Sequence, residues 1–287
     1  MTKRDADRYA PMTPAFMSEG AFPNDEDAGR LRRDGFLLKD FRFAESDLAA
    51  AADATRAIGA AGHIRAQDLW RRDQAVRRIA SHPPLLQFLS RLYGRRAFPF
   101  QTLNFVRGSQ QKPHSDTMHF SSEPAHFMCG VWVALEDVSP ESGPLVYYRG
   151  SQNLPIFDLR DLPGSDYAAH YEPHIQAALD ENGYAPAHAT PKRGEAFIWA
   201  ANLVHGGSEI RNETLTRLSQ VTHYYFDACV YTTPMRATTT RAHIRSIFDI
   251  SRGAHVRQVR NGRNVFAGPL TMAASRWRNL RRKALYS

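Results

Sequence analysis

HFMCGVWVALEDV (126–138) and LSQVTHYYFDACVY (218–231) decide the fold of this 287-residue chain. Both runs are rich in β-branched and aromatic residues, which suit a pleated, half-buried surface better than a helix. FQTLNFVRG (100–108), PLVYYRGS (144–151) and EAFIWAANLV (195–204) have the same character, and SPESGP (139–144) and PKRG (191–194) punctuate them as turns. Short aromatic strands between turn signals predict an all-β sandwich or barrel.

Helices are expected on the N-terminal side. LRRDGFLLKDF (31–41) reads as a helix turning into a strand at Gly35, and Ala44–Gly62 is alanine-rich and helical. Pro83 and Pro84 open a further helix that Gly94 closes. The insert 161–184 reads as a loop carrying a helix. The predicted organisation is a flexible N-terminal arm over 1–25, helical support over 26–95, a β core over 96–230 and a basic C-terminal extension over 231–287. The sequence shows no internal repeat.

A composition 43% hydrophobic and 11% aromatic is enough to build a core. Cys129 and Cys229 sit in apolar runs and read as buried, reduced thiols rather than a disulfide framework. The first 20 residues have no apolar signal-like segment, and no stretch approaches a membrane span, so a cytoplasmic location is expected. The net charge of +8 is uneven: residues 236–287 hold twelve Arg or Lys against Asp249 alone, leaving −3 to the rest. This asymmetry points to an anionic partner: a phosphorylated or CoA-linked small molecule, an anionic membrane surface, or nucleic acid. In SRWRNLRRKALYS, Trp277, Leu280 and Ala284 recur at helical spacing among basic residues. Residues 274–287 could therefore lie on an anionic membrane as a peripheral contact, or pack as a terminal helix with a solvated basic face. No nucleic-acid-binding signature accompanies the tail.

Two histidines and one carboxylate are what non-haem Fe(II) oxygenases need to hold iron on one face and leave the other open. QKPHSD (111–116) supplies His114 and Asp116, and VHGG (204–207) supplies His205, 89 residues after Asp116. On a strand, residues two apart share a face, so His114 and Asp116 are expected to point together with Ser115 turned away. Chance alone yields about 0.75 His-x-Asp matches at this composition, so the tripeptide by itself is weak. A decoy, His170-Tyr171-Glu172, lies in a segment where no strand supplies a third ligand. An arginine shortly after His205 could supply a fork for a dicarboxylate.

The chain resembles the phytanoyl-CoA dioxygenase family of Fe(II)/2-oxoglutarate oxygenases in several blocks. HPPLLQFLSRLYG and FQTLNFVRGSQQKPHSD look like the run-up to the first ligand, VWVALEDVSPESGPLVYYRGSQNLP like the family's strand and Gly-Ser loop, and KRGEAFIWAANLVHGGSEIRNETLTRLSQVTHYY like its second-ligand block. These cover roughly residues 30–230. The resemblance implies a mainly β fold with flanking helices around a double-stranded β-helix, a cupin-like jelly roll. It implies Fe(II) on His114, Asp116 and His205, with 2-oxoglutarate and O₂ as co-substrates and a small-molecule substrate. Arg217, twelve residues after His205, would pair with the distal carboxylate of 2-oxoglutarate, with Ser219 on the same strand face. Gln101 and Asn104 would line the pocket, and Arg211 is a rival in a turn-like segment. His119, Tyr148 and Arg149 are candidate substrate contacts; His126, Trp132 and Trp199 read as rim or core. Where the family often has Gly-Ser-His, this chain has Gly150-Ser151-Gln152, which bears on substrate-side contacts. The alternatives are a metal-bound jelly roll that binds without oxidising and a zinc hydrolase or isomerase, for which Glu123 is the one candidate base.

Overall fold

The computed structural model describes residues 12–157, 162, 166–236, 242–260 and 263–265. Two antiparallel sheets face each other. The strands are β1 (Phe36–Asp40), β2 (Arg65–Gln67), β3 (Ala97–Phe105), β4 (Ser121–Glu123), β5 (Met128–Ala134), β6 (Leu145–Tyr148), β7 (Pro186–Ala189), β8 (Glu195–Ala200), β9 (His205–Gly207), β10 (Ser219–Phe226) and β11 (Val230–Thr232). The larger sheet runs β1-β8-β5-β10-β3-β2 and the smaller β7-β6-β9, with β4 and β11 paired beside them. This is the expected jelly roll.

The register sorts side chains into two layers. Phe105, Ser219 and Ala134 form one row; Leu103, Val221, Trp132 and Phe197 form the next; Gln101, His223, Gly130 and Trp199 form the third. These rows face the smaller sheet and cluster with Leu145 and Tyr147 of β6. The alternate positions, Asn104 beside Gln220 and Thr102 beside Thr222, face the opposite way. There they meet helices α2 (Glu45–Ala60) and α3 (Gln74–Ala80): Asn104 Nδ2 donates to Thr55 Oγ1 and Gln220 Nε2 to the Val76 carbonyl.

The punctuation works as the sequence implies. Helix α1 (Glu26–Asp34) is capped at its N-terminus by Asp25 and ends on Gly35 at φ 81°, from which β1 departs. Helix α4 (Pro83–Tyr93) starts on its prolines and ends on Gly94 at φ 70°. The insert folds as a wide turn, Tyr167–Tyr171, leading into α5 (Glu172–Glu181).

Two boundaries differ from expectation. Residues 12–25, read as flexible arm, are anchored: Phe16 is buried with its ring 5.1 Å from that of Tyr93, and Asp25 pairs with Arg91. Residues 242–260, read as basic extension, pack on the barrel, with Ile247 and Ile250 buried and Asp249 paired with Arg96 at 2.9 Å. In both cases isolated apolar side chains do the anchoring, and they carry no periodic signal. Residues 274–287 lie outside the described residues. Among the described residues no helix is long and apolar enough to cross a membrane.

Candidate metal centre

His114, Asp116 and His205 are buried, and one ligand atom from each lies within 4.8 Å of the others. The local structure that achieves this is a short extended stretch, bridged at His114 alone, rather than a full strand. Pro113 has no N–H to donate to a ladder, and β3 has already ended at Phe105. Ser115 instead caps a one-turn helix, Asp116–Met118, its side chain accepting from the Thr117 N–H. Ser115 itself is extended (φ −104°, ψ 138°), so strand-like alternation still puts His114 and Asp116 on one side, as expected, and turns the Ser115 hydroxyl toward Ala201 and Asn202 on the other.

His114 and His205 exchange both backbone hydrogen bonds, each 2.9 Å, as an isolated antiparallel bridge. Gly206 and Gly207 permit this close approach. A Cβ on Gly206 would stand 2.6 Å from the Gln111 carbonyl, and one on Gly207 would stand 2.6 Å from the Gln110 nitrogen. The Gly-Gly after the second histidine is therefore a requirement of the first histidine's loop.

Both histidines are oriented from behind. His114 Nδ1 meets the Lys112 carbonyl at 2.8 Å and His205 Nδ1 the Leu203 carbonyl at 3.0 Å. A carbonyl only accepts, so each Nδ1 carries the proton and each Nε2 presents a lone pair, as a metal ligand must. Burial pushes the His205 imidazole down to about 4, only partly opposed by Asp116, which keeps it neutral. Burial alone would push the Asp116 carboxyl up, but His205, His223 and His114 outweigh it and the net direction is down. Trp199 Nε1 donates to Asp116 Oδ2 at 2.8 Å and fixes the carboxylate plane. Asn202 Oδ1 accepts from Ser115 and Thr117, and the Ser151 hydroxyl accepts from the Val204 N–H, so the two ligand loops form one hydrogen-bonded unit.

Arg217 lies on the interior side, its guanidinium 5.1 Å from the Trp132 ring and 5.6 Å from Phe105, with Nη1 donating to the Gly143 carbonyl at 2.9 Å. It is 4% exposed, and burial lowers its pKa to about 10. Among the described residues no carboxylate pairs with it, and an uncompensated buried cation is costly. Three interior-facing atoms in these rows also lack partners: Arg217 Nε, Trp132 Nε1 and Gln101 Oε1. A small dicarboxylate beside a metal on His114, Asp116 and His205 would give the Arg217 guanidinium a partner. The donor set thus fits iron with an anionic co-substrate.

The other expected residues divide. Ser219 follows Arg217 on the interior face, and Gln101 stands beside His223. His119 reaches the site, its ring 6.4 Å from that of His114, and burial lowers its pKa to about 4. Asn104 does not: three residues from Gln101 along one strand it must face the other way, and it does. Tyr148 sits on the outer side of the smaller sheet in an apolar cluster with Val204, Tyr171 and Ile175. Arg149 pairs with Asp34 at 2.9 Å at the surface. Arg211 donates to the Pro140 carbonyl, and Glu123 pairs with Arg260. Gln152 donates to the Arg32 carbonyl at the end of α1, and the decoy's Tyr171 accepts from the Ser115 N–H, bracing the ligand turn instead of supplying a ligand.

Two site residues escape the sequence reading. His223 is buried, its Nε2 3.8 Å from Asp116 Oδ2 and its Nδ1 without a partner. Its signal was available, because Arg217, Ser219, Val221 and His223 alternate onto one strand face. Trp199 reads as core but holds the metal-ligating carboxylate; a hydrogen bond to a turn 83 residues earlier leaves no local signal.

Comparisons with known proteins bear on the fold and the family. Crystal structures of similar fold include the epimerase SnoN with Fe³⁺, alpha ketoglutarate and nogalamycin RO (20% identity, 82% of this chain and 95% of that one, TM-score 0.62). They also include EctD from S. alaskensis with bound Fe (18% identity, 69% and 75%, TM-score 0.53) and a non-heme monooxygenase, the ThoJ–Ni complex (20%, 90% and 99%, TM-score 0.52). A search of curated proteins returns no match. The phytanoyl-CoA dioxygenase (PhyH) family model matches residues 32–218, about two thirds of the chain and spanning the whole ligand set. The chain belongs to the phytanoyl-CoA dioxygenase family, and with it to the non-haem iron, 2-oxoglutarate-dependent dioxygenases.

Proposed function

We propose that this protein hydroxylates an unactivated C–H bond of a small organic substrate, with Fe(II) held by His114, Asp116 and His205. The buried convergence of these three ligands within 4.8 Å carries the reading. Arg217 would anchor the distal carboxylate of 2-oxoglutarate through two parallel hydrogen bonds, with Ser219 and Gln101 as further polar contacts on the same face. With Fe(II), 2-oxoglutarate and O₂ in place, the chemistry supplied is decarboxylation of the co-substrate to succinate and CO₂ coupled to oxidation of the substrate.

The protein's own residues do the rest. The backbone carbonyls of Lys112 and Leu203 set the histidine tautomers, Trp199 aims Asp116, and the aromatic interior around Trp132, Phe197 and Val221 excludes water. Retention of a carboxylate at Asp116 leaves no coordination position for a halide, which argues for oxygen transfer. Structures sharing this fold include an epimerase and a carbocyclase, so product analysis decides the oxidation type. A substrate screen read by succinate release and product mass tests the proposal: the product gains one oxygen atom, and His114→Ala and Asp116→Ala release no succinate. Full succinate release in either variant contradicts the ligand assignment.

The basic C-terminal charge favours an anionic or membrane-associated substrate. Peripheral membrane contact through 274–287 is tested by sedimentation with anionic liposomes, where absence of binding removes it.

A further inference from the structure

Arg245 comes from the C-terminal segment, beyond the family-matched residues 32–218, yet its side chain packs on His119 and Phe120, which adjoin the site. Its backbone is clamped on both sides. The N–H donates to the Tyr231 carbonyl at 2.9 Å, and its own carbonyl accepts from Gln258 Nε2 at 2.6 Å. Nη1 is committed to the His119 carbonyl at 3.2 Å and the Thr233 hydroxyl at 2.8 Å. The guanidinium lies 4.8 Å from the Phe120 ring and 5.6 Å from Phe100. Phe120 in turn is 4.8 Å from the His223 ring, whose Nε2 is 3.8 Å from Asp116 Oδ2. The arginine is thus one aromatic layer from the ligand shell.

Its charge is not spent. Nε is buried without a partner, and among the described residues no carboxylate pairs with Arg245. Other arginines of this chain are neutralised by carboxylates: Arg149 and Arg33 by Asp34, Arg96 by Asp227 and Asp249, Arg260 by Glu123. Phe100, Gln101, His119, Phe120 and Arg245 all keep partial exposure while the three metal ligands are buried, so they form a partly exposed rim to the residues around the ligands. Phe100 stands on this rim beside a bulge, since the β3–β10 register slips between His223 and Tyr224 and leaves Phe100 unpaired.

Arg245 is not a second anchor for the co-substrate. Arg217 sits at the Phe105 end of β3 and Arg245 at the Phe100 end, five residues or roughly 17 Å apart along a strand. A five-carbon diacid cannot reach both.

Building on the oxygenase reading of the site, we infer that Arg245 is the substrate-recognition residue. It would bind an oxyanion group, carboxylate or phosphate, on a molecule whose flat apolar body lies against Phe100, Phe120 and His223. A guanidinium offers parallel donors to such a group, and the aromatic floor selects a planar neighbour.

The test uses full-length protein, anaerobic and saturated with Fe(II) and 2-oxoglutarate so that Arg217 is occupied. Benzoate, phenyl phosphate and neutral benzyl alcohol are titrated by calorimetry. Saturable binding of either anion at least tenfold tighter than benzyl alcohol is expected, and the tighter of the two names the oxyanion. Arg245→Gln should weaken that binding tenfold or more. Arg245→Lys, which keeps the charge but loses the fork, should recover only part of it. Both variants should bind 2-oxoglutarate as the wild type does, which shows them folded. Wild-type protein that binds neither anion, that binds benzyl alcohol equally well, or whose anion affinity survives Arg245→Gln would overturn the inference. Loss of 2-oxoglutarate binding in wild-type protein would instead count against the underlying reading of the site.

Discussion

Arg217 and Trp199 are the residues whose substitution tells most. Among the described residues no carboxylate pairs with the buried Arg217 guanidinium, and in the proposed role 2-oxoglutarate would compensate its charge. Saturating 2-oxoglutarate, at about a hundredfold over Kd, contributes roughly 2.7 kcal/mol of stability by mass action. For a domain of this size that corresponds to a rise of about 5–10 °C in Tm. Differential scanning fluorimetry should show this rise for wild type and its absence in Arg217→Ala, while Arg217→Lys should raise the KM for 2-oxoglutarate tenfold or more. Trp199→Phe removes the 2.8 Å hydrogen bond to Asp116 while keeping an aromatic ring. Outer-shell partners of this kind are worth about 10–100-fold in metal affinity, so competitive chelation should show a loss in that range with the fold intact. At this scale the sequence was readable where spacing carries the information. Order and spacing single out His114, Asp116 and His205 as candidates, and the family resemblance gives them, and Arg217, their expected roles. Asn104 failed because strand period excludes it from the face that holds Gln101. Arg149 failed because Asp34, 115 residues away, claims it.

At the scale of elements, the site depends on where side chains are missing. Gly130 on β5 lies opposite Trp199 on β8, and a Cβ there would stand 2.1 Å from the indole. Its backbone is ordinary extended strand, so the effect of Gly130→Ala is purely steric. The indole must move, and with it the donor to Asp116. We expect about 1–3 kcal/mol of destabilisation by urea titration, together with weakened metal binding. Stability loss with unchanged metal affinity would show that the indole can shift without releasing the carboxylate. Strands and capped helices were legible because alternation, Pro at helix starts and Gly at helix ends are local signals. The one-turn helix carrying Asp116 was not, since a Ser-Asp-Thr stretch fits a strand or a capped turn equally well until Pro113 and the end of β3 are placed.

For the whole molecule, residues 242–260 beyond β11 pack on the barrel. Removing everything after Arg236 would delete the fully buried Ile247 and Ile250, leave Arg96 with only Asp227, and uncover Phe100 and Phe120. Two buried isoleucines alone contribute roughly 4 kcal/mol, a large share of a typical domain's 5–15 kcal/mol. The truncated chain should therefore unfold at markedly lower temperature than full-length protein, and an unchanged Tm would show that the segment is accessory. Charge counting marked this region as basic but could not show that one arginine turns inward, because that depends on contacts with residues more than a hundred positions earlier.

The most direct test of the central claim is anaerobic titration of metal-free protein with Fe(II) and then 2-oxoglutarate, following the weak visible charge-transfer band of the chelate. The band should appear in wild-type protein, vanish in His205→Ala, and require far more 2-oxoglutarate in Arg217→Ala. A well-folded wild-type protein that gives no band would contradict the assignment of His114, Asp116, His205 and Arg217 as the iron and 2-oxoglutarate site.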